Sequence, residues 1–243
     1  MANIVYCISS FQTVLLIIST PQFNKTYEYD WSLISLDKTQ FIVVTDIIVA
    51  VTAFTSIAAF NSPKLLNDWI FEPYTIHRKK EYYRFLTSGL LHGSWLHLLI
   101  NMFVLYSFGQ AVENYYQMEF GGNALWYYML LYVGSLIASD LVTFSKHKHD
   151  ITYKGLGASG AVSAVVFASI LFNPMGQISL YFVIKMPAIV LGIGYLAYSW
   201  YMSKNSRDNI NHDAHFYGAV FGFLFTLLLS PRLFGEFLRQ LPL

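Results

Sequence analysis

The sequence predicts an all-α membrane protein, and three observations carry that reading. Charged residues make up 12% of the 243 positions and hydrophobic residues 55%, whereas a soluble domain usually has roughly 25% charged residues to cover its surface. Mean hydropathy is +0.45. Apolar stretches close to the roughly 20 residues that cross a hydrocarbon core recur between connections holding most of the Gly, Asn, Asp and Lys.

The net charge of +1 excludes a global field directed at nucleic acid or another polyanion. Cys7 is the only cysteine, which excludes an intrachain disulfide framework and a Cys-ligated metal site.

Residues 1–40 form an N-terminal segment. Positions 2–19 are apolar, but no basic residue precedes Lys25 and Ile18-Ser19-Thr20 matches a cleavage site poorly. An extra membrane segment and an apolar tail lying against the membrane both remain open. Residues 41–243 form one membrane domain. Residues 41–60 make its first span, with Asp46 near enough to one end to snorkel. Residues 61–93 do not cross, because they carry Pro63, Pro73 and the charges from His77 to Arg84. Their Trp69, Phe71, Tyr74, Tyr82 and Tyr83 suit the interface. Further spans fall at 94–112, 124–143, 158–172 and 214–230. The stretch 183–202 makes one more, its lipid-facing part confined to the later residues by Lys185 and Pro187. The count is six, with no internal repeat.

Polar groups are costly in lipid, so their recurrence where apolar segments begin points to function. Ser159 lies between Gly157 and Gly160 at the start of a helix, where free N–H groups and the dipole favour negative charge. Helix packing through small residues four apart explains the same glycines. His215 also opens an apolar helix. An even number of crossings separates the two segments, which puts Ser159 and His215 near one membrane face. Gly218 and Gly222 give the His215 helix a smooth face for close packing. A serine within reach of an imidazole is the pairing of nucleophilic catalysis. His97 and Asn101, at i and i+4, share a helix face, and the Asn amide is a neutral donor fit for an oxyanion. Glue between helices is the alternative for both. His92 reads as structural.

Taken together, His92-x4-His97-x3-Asn101, Gly157-Ala158-Ser159-Gly160 and Ala214-His215-x2-Gly218-x3-Gly222 resemble the rhomboid family of intramembrane serine proteases. The resemblance runs from about Glu72 to Phe225. It implies a six-transmembrane-helix bundle with Ser159 as nucleophile, His215 as base, and His97, Asn101 and the Ser159 amide as oxyanion support. Tyr83-Arg84 matches the family's Trp-Arg pair in the first loop, and Gly109-x3-Glu113 matches the end of its second helix. Some bacterial members place a tyrosine four residues after the serine, stacked on the histidine. This chain has Ser163 there, which implies that His215 is held differently.

The implied activity is an endopeptidase cutting transmembrane segments of membrane proteins, with the bilayer and single-span substrates as partners and no cofactor. A non-catalytic rhomboid-like factor that binds transmembrane helices is the alternative. Metalloprotease chemistry would call for a pattern such as H-E-x-x-H, which is absent. His147-x-His149-Asp150 and His212-Asp213-x-His215 are conceivable metal ligands, but they lie in or near loops. Asp213, two residues from His215, points away from its face and is not taken as a third triad member.

Sidedness brings two expectations into conflict. The resemblance places the loops at 61–93, 144–156 and 203–213 outside the cytoplasm, with the active site opening on that side of a cell inner membrane. Those loops hold ten of the fifteen Lys and Arg, and the positive-inside rule alone chooses the opposite orientation. The resemblance is preferred, because Arg84 has a motif role.

Overall fold

The computed structural model of the protein describes residues 44–180, 184–205, 208 and 210–242. The expectations for residues 1–40 lie outside the described residues. The described chain is mostly helical: α1 (Val44–Phe60), α2 (Pro63–Trp69), α3 (Pro73–Lys79), α4 (Arg84–Thr87), α5 (Trp95–Phe120), α6 (Ala124–His147), α7 (Ser159–Phe172), strands β1 (Gln177–Leu180) and β2 (Ile184–Pro187), then α8 (Ala188–Asn205), α9 (His212–Leu229) and α10 (Arg232–Gln240).

A longer helix thus lies at each of the six apolar stretches. By length and apolarity alone, the run Trp95–His147 fits a membrane span. A 3-10 turn at Gly121–Asn123 breaks it, and α6 folds back on α5, so that the Tyr128 hydroxyl reaches Gly109. α9 and α10 pass the same test only as a pair bent by 117°, and α1 and α7 are apolar but shorter. Among the described residues, helix length therefore supplies one span, or two with the bent pair, rather than the expected six.

α7 is the centre of the bundle. Every residue from Gly160 to Leu171 is buried, against α5, α6 and α9, as expected of a helix that is apolar all round. α8 lies at the edge, with only Ala188, Gly192 and Ser199 buried.

The all-α expectation needs one correction. Gln177–Leu180 and Ile184–Pro187 are an antiparallel pair of strands in register Gln177↔Pro187 and Leu180↔Ile184, and α8 starts at Ala188 rather than near 183. Proline disfavours helical backbone in the residue before it, so the helix cannot run back through Met186. The expected connection at 113–123 is likewise largely helix, because its acidic side chains find partners. Glu113 Oε1 accepts the Thr45 amide at the free N-terminus of α1 at 2.7 Å, and Glu119 pairs with Arg232 and accepts from Ser230 at the start of α10. α6 also runs on, to His147, with Lys146 paired to Asp213 of α9. α10 occupies a stretch where the sequence reading placed no element.

The first loop is pinned by the Tyr83-Arg84 pair. The Arg84 guanidinium, 6% exposed, donates to Glu81 Oε2 at 2.7 Å and to the carbonyls of Asn67 and Ile70 at 2.8 and 2.9 Å. The Tyr83 hydroxyl donates to Asp68 O at 3.1 Å. A bridge between Phe71 and Gly155 joins this loop to the one preceding α7.

Candidate active site

Ser159 is the first residue of α7, so its amide has no acceptor within the helix. Just before it, Gly157 has φ +124, and a Cβ there would meet His97 Cε1 at 2.8 Å. Both conditions require glycine. The loop is fixed from behind, where the Gly157 amide donates to Ser88 O at 3.0 Å.

α9 meets α7 through small residues. A Cβ on Gly218 would overlap the Gly160 carbonyl, and one on Gly222 the Ala164 carbonyl. With the helices so close, His215 Nε2 lies 2.8 Å from Ser159 Oγ. Serine and imidazole are within hydrogen-bond distance without any change of conformation.

The start of α9 is capped by Asn211, whose Oδ1 accepts the Ala214 amide at 3.0 Å. Asn211 is itself held by α6: Thr143 Oγ1 donates to its Oδ1 at 2.9 Å, and its Nδ2 donates to Asp140 Oδ1 at 3.0 Å. The sequence reading missed these residues, although an Asn immediately before the first residue of an apolar helix is an N-cap signal.

Asn101 shares with Ser159 and His215 the lining of a cavity of about 400 Å³ between α5, α7, α8 and α9, whose deeper wall includes Val104, Val166, Phe167 and Ile170. Asn101 Nδ2 donates to His97 O at 2.9 Å, which uses one of its two protons. His97 does not line this cavity. Its ring rests against Gly157, with Nε2 buried and unpartnered, while Nδ1 accepts the Gly93 amide at a long 3.5 Å. That assignment puts the ring proton on Nε2.

His92 ties α1 to the loop before α5. Ser56 Oγ gives its one proton to Leu90 O at 2.8 Å, so His92 Nδ1–H donates to Ser56 Oγ at 2.9 Å. Its ring meets His97 edge-on at 4.8 Å. Gly109 lies against Thr45 and Tyr128, whose hydroxyls bond at 2.8 Å.

The remaining candidates have other partners. Asp213 pairs with Lys146 at 2.8 Å. His147 stacks on Tyr153 and lies 3.4 Å from Asp150, and His149 meets His77. Among the described residues, no group of three or more His, Cys, Asp and Glu is arranged to hold a metal ion.

Comparison with known proteins points to one family. The rhomboid domain profile matches residues 79–232. The chain is 31% identical to "Rhomboid-like protein 11, chloroplastic" of Arabidopsis thaliana over 169 residues, which is 65% of this chain and 56% of that protein. It is 28% identical to "RHOMBOID-like protein 12, mitochondrial" of the same plant, over 56% of this chain and 43% of that one. It is 32% identical to YdcA of Bacillus subtilis (strain 168), provisionally named a rhomboid protease, over 63% of this chain and 69% of that protein. The match spans about half the length of the two plant proteins. With the profile covering well over half of its residues, this chain belongs to the rhomboid family of membrane-embedded proteins.

Proposed function

We propose that this protein is an intramembrane serine endopeptidase that cleaves transmembrane segments of membrane proteins through a Ser159–His215 dyad. The observation that carries the reading is the 2.8 Å approach of His215 Nε2 to Ser159 Oγ at the wall of a largely apolar cavity. A factor that only binds helices has no need of that pairing.

Neutral His215 accepts the hydroxyl proton through Nε2 as Ser159 Oγ attacks the scissile carbonyl, and the imidazolium then gives that proton to the departing amine. The acyl group stays on Ser159 until water, deprotonated by His215, attacks the ester and releases the new carboxylate. The oxyanion formed in each half-reaction is met by the Ser159 amide and the second Asn101 Nδ2 proton, with His97 as indirect support, its carbonyl holding the Asn101 amide. No cofactor takes part. The apolar cavity suits a substrate helix arriving from the bilayer. Because such a helix must unwind locally, Gly, Ala or Ser is expected near the cut. Six helices cross the membrane in this reading, which is that of a cell inner membrane, and the site opens away from the cytoplasm.

Fluorophosphonate treatment of the purified protein, read by intact mass, tests the reading. Wild type should gain one adduct at Ser159, whereas Ser159→Ala and His215→Ala should gain none. An adduct that persists in Ser159→Ala, or none on folded wild type, overturns it.

A further inference from the structure

The bond to Ser159 fixes one atom of the His215 ring. A ring held at one atom can pivot, so its plane is set by what packs on its faces. Tyr195 of α8 stacks on it, with ring centroids 6.2 Å apart and planes 23° from parallel, within the range of favourable aromatic pairs. His212 meets the same ring edge-on at 6.0 Å, but it sits on α9 itself and follows that helix.

Tyr195 is anchored to the nucleophile's helix. One turn after Ser159, the Ser163 hydroxyl gives its single proton to Ser159 O at 2.8 Å. The 2.6 Å bond between Ser163 Oγ and the Tyr195 hydroxyl therefore has tyrosine as donor. The contacts close a circuit: Ser159 to Ser163 along α7, Ser163 to Tyr195 on α8, Tyr195 to His215 on α9, and His215 back to Ser159. Half-buried Tyr195 also touches Phe167 of α7, although its own helix, α8, buries few residues.

We propose that Tyr195 is a positioning residue that holds the His215 imidazole in the plane needed to take the Ser159 proton, with Ser163 as its anchor. The proposal rests on the acyl-transfer reading above. Tyr195 also lines the cavity beside Ser159 and His215, but its stack on the imidazole and its bond to Ser163 direct its action to the histidine ring.

The test uses the full chain in detergent, with two readouts: the rate of fluorophosphonate labelling at Ser159, and kcat and KM on a single-span substrate. Tyr195→Leu keeps bulk and removes the ring. It should lower both labelling rate and kcat about 10- to 100-fold, the scale of a misplaced catalytic group, with KM within about 2-fold. Tyr195→Phe keeps the ring and loses the anchor, so it should recover most of that loss. Ser163→Ala should match Tyr195→Phe, and the double variant should be no worse than either, because the two share one bond. Multiplicative losses in the double variant overturn the anchor, and this arm decides even where Tyr195→Leu does not fold. A folded Tyr195→Leu that is labelled at the wild-type rate, or that changes KM alone, overturns the proposal while leaving acyl transfer intact. An unlabelled wild type overturns both.

Discussion

Gly218 faces the carbonyl of Gly160 so closely that no side chain fits between them. This contact lies next to Ser159 on α7 and one turn after His215 on α9, and it sets the spacing of the two helices at the height where Ser159 and His215 bond at 2.8 Å. Packing and candidate chemistry are thus one feature: the small residues that pack the helices also bring the imidazole to the serine.

Gly218→Val should accordingly disturb both. The obstacle is backbone rather than the end of a flexible side chain, so the helices must move apart. Overpacking of this kind costs about 1–3 kcal/mol, and displacement of His215 by about 1 Å should lower cleavage on the order of 100-fold. Thermal melting in detergent and cleavage of a single-span substrate check the two together. Normal cleavage by a folded Gly218→Val would mean that this contact does not set the dyad.

Asn101→Ala should lower kcat by roughly 10- to 1,000-fold with a smaller change in KM, as loss of one oxyanion donor does. The structure sharpens the control. Asn101 also donates to His97 O within its own helix, so a purely structural Asn101 would show its loss in the melting temperature. A variant with lowered melting and normal activity per folded molecule would assign Asn101 to packing.

Local pattern made part of this site legible in the sequence, and long-range pairing hid the rest. Ser159 and His215 each open an apolar helix, and Gly218 and Gly222 recur one turn apart, so their common face could be read from spacing. Tyr195 could not, because nothing within its own helix marks it, and its partners Ser163 and His215 lie on two others. Asp140 and Thr143 were hidden for the same reason, about 70 residues from the cap they support. The extension of α5 past residue 112 was missed because Glu113 and Glu119 look like loop residues until Thr45 and Arg232 are brought to them. The strand pair before α8 had a local signal in Pro187, but four-residue strands are too short to display a period.

The Asn211 cap gives a prediction about the same helix. Asn211→Ala removes the acceptor of the Ala214 amide and leaves Asp140 without this donor. Loss of a cap costs about 1 kcal/mol, within a range of 0.5–2, and about 2–4 °C of melting temperature per kcal/mol at this chain length. Asn211→Ser should recover part of the loss, since serine also caps. If Asn211→Ala melts with wild type, the cap contributes nothing to this helix.

The first loop carries a pH dependence of known sign. Glu81 lies between α3 and α4, outside the apolar helices, and the Arg84 guanidinium bonded to it holds its carboxyl below the ordinary 4.5. The folded-state value is thus depressed, so the pair's contribution is fully present above about pH 4.5 and is lost as pH falls through the lower folded value. The pair is partly exposed and worth no more than about 1 kcal/mol. Glu81→Gln should therefore melt about 1–3 °C below wild type at pH 7, and the gap should close in acid as wild-type Glu81 protonates. Arg84→Ala should cost more and keep its deficit at every pH, because the carbonyls of Asn67 and Ile70 lose their donor whatever the charge on Glu81. Melting curves of the three proteins from pH 7 down to about pH 3 check both statements. A Glu81→Gln gap that stays constant across that range would show that the Glu81 charge does not stabilise the loop.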